Sequence, residues 1–596
     1  MSDMIASSAT SSYRDFLEEA FITPIRTAVV VDDEYPTLDV LLAASGSVPA
    51  QAGTSAVERA NREKLLKIVK LCRGRKPTPW LVDVHNGATP TAEGEGLAAS
   101  HFDHTDLLIL DYHLEANDDS RRSIEILRRL AGNHHFNLVA VYTRAGESSG
   151  DIQKTIREIA LSLSSPKQFL APMEPGVERV DDQFETWESL HEGVFERLLD
   201  ALDEGAFLKV LGRDSTEWSS CEKIPELAPF AELFRGRPAQ IKLTTDEAFG
   251  YLVEQKQLRL ADKMSKDPLG PVDLGIHAGT NWVRTDSLFV TVISKDEAPE
   301  KIPQMLLTAL EAWAPKPQRL IVSRMRAELS ERGGTVESDA MRNPYLQSAW
   351  LDDLIVSDQA QRRTNVRQGV ARQWENLGGV VWPGVYDFSE RLADFLVVDD
   401  PSGSKWRSIP RGTPADDTLV HQHFNRYICS KRVEGHHLMT GHILRAGTEY
   451  WLCLTPACDL EPGQGGNKGW KALLGDWMPL KVVQLFEEKD HKTALKTATR
   501  ANHVYVEIDR RLKVLGFGSP DSAPTLRWEQ FFAKDCGAIP RDAPLQLGRV
   551  AVKDDELKMN IETASVVAQL RYEYALNLLQ RLGAQLARVG LDFRKY

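Results

Sequence analysis

Apolar residues in the first third of the chain fall into short unbroken runs, separated by longer stretches where they recur every three or four positions. The runs are TAVVV (27–31), WLVDV (80–84), DLLIL (106–110) and NLVAVY (137–142). Each is near-continuous rather than alternating, as expected for strands covered on both faces. The stretches AVERANREKLLKIVKLC, SRRSIEILRRLAG and DIQKTIREIA carry helical periodicity. Strands alternating with helices predict an α/β fold with a parallel, doubly wound sheet, which places ligands at the carboxyl ends of the strands.

Further on, the pattern predicts a single amphipathic helix over about 175–205, followed by a polar linker, GRDSTEWSSCEKIPE. A strand (NWVRTDSLFVTVISK, 281–295), a helix (PEKIPQMLLTALEAWA) and a second strand (QRLIVSRM) then suggest another α/β unit. The region after 400 is β-leaning, and GHILRAGTEYWLCLTPACDL (441–460) reads as two strands joined by a turn at Ala446–Gly447. In the last stretch, Val567, Leu570, Tyr574, Leu578, Leu582 and Leu586 recur at three- and four-residue spacing, predicting a long amphipathic helix over 561–593. The expected organisation is a lead (1–23), a first α/β domain (24–205), a second (206–400), a β-rich α+β domain (401–555) and a C-terminal helix (556–596).

Composition narrows the class. A chain of 596 residues suggests roughly three or four domains. Its 42% hydrophobic and 26% charged residues are ordinary for packed cores. With 72 basic and 85 acidic residues the formal charge is -13, which argues against duplex DNA as the main partner yet leaves room for a local basic groove. Six cysteines without a C-x-x-C pair read as reduced cytosolic thiols. The start lacks a secretory pattern and no apolar run approaches the ~20 residues of a membrane span, so a cytoplasmic location without membrane contact is expected.

The strand ends carry the chemistry. Asp32 and Asp33 follow the first run, Asp111 the third and Thr143 the fourth. If those strands are neighbours, three carboxylates and a hydroxyl share one crevice. A hard cation such as Mg2+ suits two or three carboxylates with waters. A carboxylate facing such a cation can act as a nucleophile towards phosphoryl groups, and a nearby hydroxyl can report the resulting acyl phosphate.

These residues resemble the receiver domain of response regulators, a flavodoxin-like fold. VVVDDEYP is similar to its acidic pair, LLILDYHLE to its acceptor strand and VAVYTRAG to its switch strand. The resemblance implies Mg2+ on Asp32, Asp33 and Asp111, phosphorylation of Asp111, and Thr143 as switch. It also implies a histidine kinase or other phosphodonor protein as partner. The wider wording is similar to a divergent subfamily at the front of large bacterial proteins, some tied to phage defence. Two departures stand out. The 78 residues from Asp33 to Asp111 imply a long loop, TLDVLLAASGSVPAQAGTSA. The family's lysine, normally followed by proline after the fifth strand, is expected at Lys167, where the proline comes first; Lys154 is the other candidate nearby.

Elsewhere the signals are thinner. Arg284, Lys295, Arg319, Arg324 and Arg326 flank the strands of the second unit, either as solvated residues or as contacts for phosphate or RNA. His421, His423, His436, His437 and His442, with Cys453 and Cys458, are of metal-ligating type but not at a standard zinc spacing. A Cys458–Asp459–His442 arrangement is a further candidate nucleophile. The hairpin at 441–460 loosely resembles small SH3-like barrels, including ribonuclease toxins of the PemK/MazF type. Three functions follow: a signalling protein switched at Asp111, a conflict-system effector enzyme gated by the receiver, or an inert receiver used for docking. A homodimer through the C-terminal helix or the receiver is a further expectation.

Overall fold

The computed structural model describes residues 12–35, 56–86, 100–114, 119–144, 151–167, 174–213, 217–277, 279–407, 416–461, 469–498, 502–517, 526–540 and 543–587. The loop expected at 37–56 lies almost wholly outside them. The chain divides into two compact units, one of residues 1–331 and 383–413, the other of 332–382 and 414–596.

The first unit is built on seven strands: β1 (Thr27–Val31), β2 (Leu81–His85), β3 (Leu107–Asp111), β4 (Asn137–Thr143), β5 (Asp273–His277), β6 (Thr280–Arg284) and β7 (Leu288–Ser294). Their order is β2-β1-β3-β4-β7-β6-β5, with β2 to β7 parallel and β6 and β5 antiparallel. Side chains alternate between two cores, as the two-residue period of a strand requires. Val29, Val31, Leu108, Leu110, Val139 and Val141 enter one core, against the helices Arg121–Gly132 and Asp151–Leu163. Ala28, Val30, Leu107, Ile109, Leu138 and Ala140 enter the other, which includes Leu65 and Ile68 of the helix Ala56–Gly74. β1, β3, β4 and β7 are almost wholly buried, which is why their sequences read as unbroken apolar runs. β2 is the edge, and Leu81 is 75% exposed there.

Several sequence expectations change here. The stretch 281–295 is not the opening of a second α/β domain: β7 pairs residue by residue with β4, from Asn137↔Leu288 to Thr143↔Ser294, so it completes the first sheet. Helices fill the interval before it. The helix expected over 175–205 is two, Glu174–Leu190 and Val194–Ala201, broken at Gly193, whose φ of 74° suits glycine. The Glu188 carboxylate accepts from the Gly193 and Phe195 amides and satisfies the start of the second helix. QRLIVSRM is not a strand but part of the helix Pro317–Met341. Pro317, Leu320 and Ser323 turn inward at intervals of three, which an alternating strand cannot produce.

The second unit holds β8 (Ser430–Lys431), β9 (His442–Ala446), β10 (Glu449–Cys453), β11 (Met478–Glu487), β12 (His503–Ile508), β13 (Arg511–Gly516), β14 (Trp528–Ala533), β15 (Leu545–Lys553) and β16 (Glu556–Leu570). The ladder β10-β9-β16-β15-β14-β11 returns to β10, closing a six-stranded antiparallel barrel. Leu444, Trp451, Met478, Leu480, Phe531 and Leu547 share one core of this unit. The β9–β10 hairpin turns at Gly447, φ 57°, within the expected Ala446–Gly447 step. The long C-terminal helix is shorter than its periodicity suggests. Residues 556–570 form β16, held by β15 and β9, and the helix spans only Tyr572–Leu586. Ile561, Thr563, Val566 and Val567 are β-branched and favour the pleated state. The interval of three from Val567 to Leu570 mimicked a helical turn. Ala575, Leu578 and Leu582 of the helix pack on the barrel's second core, whereas Leu586 is 47% exposed.

Candidate functional site

Parallel strands end together, so β1, β3, β4 and β7 deliver their following residues to one edge of the sheet. The order reversal on either side of β1 makes that edge the crevice of a doubly wound fold. Asp32 follows β1, Asp111 ends β3, Thr143 ends β4 and Lys295 follows β7.

The acids are held by local backbone. Asp32 Oδ1 accepts from the Glu34 amide at 3.0 Å, turning the chain sharply after the strand. Asp111 Oδ1 accepts weakly from the His113 amide at 3.4 Å, while Ser123 Oγ donates to the carbonyls of Asp111 and Tyr112 and pins the turn after β3. Asp32 and Asp111 are buried and Asp33 is exposed. One carboxylate oxygen from each of Asp32, Asp33 and Asp111 lies within 4.8 Å of the others.

Lys295 supplies the counter-charge. Its Nζ donates to Asp32 Oδ2 at 2.9 Å and to Asp111 Oδ2 at 2.6 Å, and all three side chains are buried. Its amide donates to the Thr143 carbonyl at 2.6 Å, extending the β4–β7 ladder by one step and fixing the lysine's place. Burial pushes the Asp32 carboxyl up to about 6; Lys295 opposes this and Asp111 adds to it. Partial desolvation of its carboxyl also raises Asp33, although the residue is exposed, with Asp111 and Glu34 adding repulsion. Burial acts against the charged form of Lys295, but the attraction of Asp32 and Asp111 outweighs it and the ammonium is held above its ordinary value. The Thr143 hydroxyl is fully buried and has no hydrogen-bond partner among the described residues. At the mouth, Glu34 pairs with Arg144.

The structure therefore gathers Asp32, Asp33, Asp111 and Thr143 but not Lys167. The Lys167 amine donates to the Arg213 carbonyl, and its backbone is bonded on both sides to the Gln257 amide group. Lys154 lies on the helix Asp151–Leu163. Lys295 was legible only as a basic residue after an apolar strand. The strand's unbroken apolar character, like that of β3 and β4, was the signal that it belonged to their sheet.

The other candidates disperse. Arg319 and Arg326 lie over the Phe136 ring at 4.8 and 5.0 Å, Arg284 pairs with Asp273, and Arg324 pairs with Glu328. Among the described residues, the histidines and cysteines of 421–458 bring no three ligands together. His442 is buried and accepts from the Met439 amide, whereas Cys458 is exposed and meets Asp459, so no hydrogen bond joins His442 to that pair. Among the described residues no helix is long and apolar enough to cross a membrane.

Residues 24–168 match the response receiver domain family. No curated protein and no solved structure matches the chain. The matched segment covers the strands that carry Asp32, Asp111 and Thr143 and stops well before β7. Five parallel strands in the order β2-β1-β3-β4-β7, three acids and a lysine at their carboxyl ends, and the family match agree: the chain carries a response-regulator receiver domain.

Proposed function

We propose that this receiver accepts a phosphoryl group on Asp111 and thereby regulates the rest of the chain, in the cytoplasm of a bacterium. The observation that carries the reading is the convergence of Asp32, Asp33 and Asp111 with Lys295 between two of them. The acceptor oxygen of Asp111 forms the new bond to phosphorus. The bond from phosphorus to the donor's nitrogen or oxygen breaks, and its electron pair leaves with the donor.

The three carboxylates fit a divalent cation. Oxygen ligands of Mg2+ sit at about 2.0–2.1 Å, so opposite ligands are about 4.2 Å apart. At most one pair of the three can lie opposite and neighbouring ligands are about 2.9 Å apart, so the observed set, within 4.8 Å, would have to close further around the ion. Asp32, Asp33 and Asp111 would hold the ion, which would supply positive charge against the incoming phosphoryl oxygens. Lys295 would then turn from the carboxylates to a phosphoryl oxygen. Thr143, whose hydroxyl lacks a partner, would donate to the acyl phosphate and so register its presence.

The donor would be a histidine kinase or another phosphorylated protein, and a role in phage defence would be one use of such a switch. Intact mass tests the reading directly. Wild type with Mg2+ and a small phosphodonor should gain one phosphoryl group, and Asp111→Asn none. Asp32→Asn should be strongly impaired. A wild type that never gains the mass under any donor would leave the domain as a docking scaffold.

A further inference from the structure

The second unit contains a groove of opposite charge. One wall is the start of the helix Gln359–Asp399, with Arg362, Arg363 and Arg367; the other carries His436 and His437. That second wall is stitched to the segment after β14, the Ile539 amide donating to the His436 carbonyl and Leu438 to Gly537, both at 2.8 Å. The groove encloses about 860 Å³, and a recess of about 70 Å³ sharing Arg367 and His437 adds Tyr572 and Glu461. That size suits a small organic ligand.

The arginines lack the partners that surface arginines commonly find. Arg362 donates to the Val356 carbonyl at 2.8 Å. Among the described residues Arg367 reaches only the Met439 sulfur, at 3.2 Å, a weak acceptor. Among the described residues, no carboxylate pairs with Arg362, Arg363 or Arg367, although Glu461 lines the same recess as Arg367.

Their position on the helix is also unfavourable in isolation. Asp358 Oδ1 accepts from the Gln361 amide at 2.7 Å and caps the helix, so Arg362 closes its first turn, Arg363 opens the second and Arg367 lies about one turn further on. The cation of Arg362 opposes the helix dipole, which favours anions at that end. Solvated arginines are common on surfaces. Here, however, three converge on one groove, and Arg362 stands at the helix end where positive charge is least at home. A bound anion would relieve both their mutual repulsion and the dipole.

We propose that this groove binds a ligand with two or more linked phosphates, either a nucleotide or the backbone of a single-stranded nucleic acid. Arg367 lies five positions beyond Arg362, about 7.5 Å along the axis, so the two ends of the arginine set take different phosphates. Planar guanidinium groups suit bidentate phosphate contacts. Tyr572, more than half exposed beside them, offers a ring for a base. The inference is independent of the receiver reading, since neither phosphodonor nor Mg2+ enters it.

The test uses the full chain at low salt, with three probes: a labelled 12-nucleotide oligouridylate, ATP and inorganic phosphate. Either oligouridylate or ATP should bind, at least tenfold more tightly than inorganic phosphate. Arg363→Gln/Arg367→Gln should weaken that binding tenfold or more. If the strand is the ligand, it should outcompete ATP, and the variant's log K against log salt should flatten by about 1.4, or about 0.7 for each lost contact. If a nucleotide is the ligand, ATP should bind as tightly as the strand. The variant's melting temperature should hold, because both side chains are exposed and neither meets a carboxylate among the described residues. Should the glutamine pair fail to fold, Arg363→Lys/Arg367→Lys replaces it, and there weaker binding is expected because the fork geometry is lost. The proposal is overturned if neither ATP nor oligouridylate binds the wild type, or if whichever variant folds binds as the wild type does.

Discussion

The two charged crevices of this chain resolve their electrostatics in opposite ways. In the receiver, Asp32 and Asp111 are buried and share the ammonium of Lys295. In the groove of the second unit, Arg363 and Arg367 are exposed and, among the described residues, meet no carboxylate. A buried acid pair cannot wait for solvent ions to neutralise it, because each desolvated charge carries a penalty of several kcal/mol. Exposed guanidinium groups stay hydrated until a ligand arrives. The receiver's charge balance is thus part of folding, whereas the groove's is left to binding.

Removing charge should separate the two sites, and the largest effect belongs to Lys295. Lys295→Met keeps most of the volume but leaves two buried carboxylates without a cation, so urea unfolding at pH 7 should show a loss of about 3–5 kcal/mol. Adding Asp32→Asn to that variant should recover part of it. A loss under 1 kcal/mol would mean that the crevice is open to water and the comparison fails.

Next in size is a pH effect. Asp32 sits at about 6 in the fold against an ordinary 3.8, so the folded chain holds this proton more tightly than the unfolded one. The associated stability is present in full below about pH 4 and is lost as pH rises through about 6. Relative to Asp32→Asn, wild type should therefore weaken by on the order of 3 kcal/mol across that window. Parallel stability curves for the two proteins would contradict the burial argument.

Mg2+ should act in the same crevice with smaller effect. At ten- to thirty-fold excess over its Kd it should stabilise wild type by about 1–2 kcal/mol at pH 7.5. The gain should shrink at pH 5, where Asp32 holds its proton, and vanish in Asp111→Asn. Smaller still is Thr143→Val. The hydroxyl it removes is buried without a partner, so stability should hold or rise by about 1 kcal/mol while phosphoryl acceptance persists and signalling fails. Lys167→Ala, despite its expected role, should leave phosphoryl acceptance unchanged.

The contrast between Lys167 and Lys295 also shows what the sequence could reveal. Asp32, Asp33, Asp111 and Thr143 were legible because each lies beside its own strand, and strand ends in a parallel sheet converge by construction. The lysine was not, because its strand returns only after a long helical interval. That interval even secures the decoy: Gln257 and Arg213, both from it, hold Lys167 by backbone and amine. The same limit explains residues 561–570, where spacing suggested a helix but pairing with β15 and β9 imposed a strand. Local pattern reports which faces are apolar. It does not report which distant segment completes an edge.

The 184 residues between Asp111 and Lys295 also have a consequence in time. At about 5–20 residues per second, the lysine emerges from the ribosome roughly 10–40 s after the acid it neutralises. Local collapse is complete within a fraction of a second, so β1, β3 and β4 can assemble long before β7 exists. Throughout that interval the nascent sheet has an open edge along β4 and an acid pair without its cation. A chain released at residue 205 would remain in that state permanently, which makes the pace of translation, as well as the final packing, a determinant of whether this receiver is ever completed.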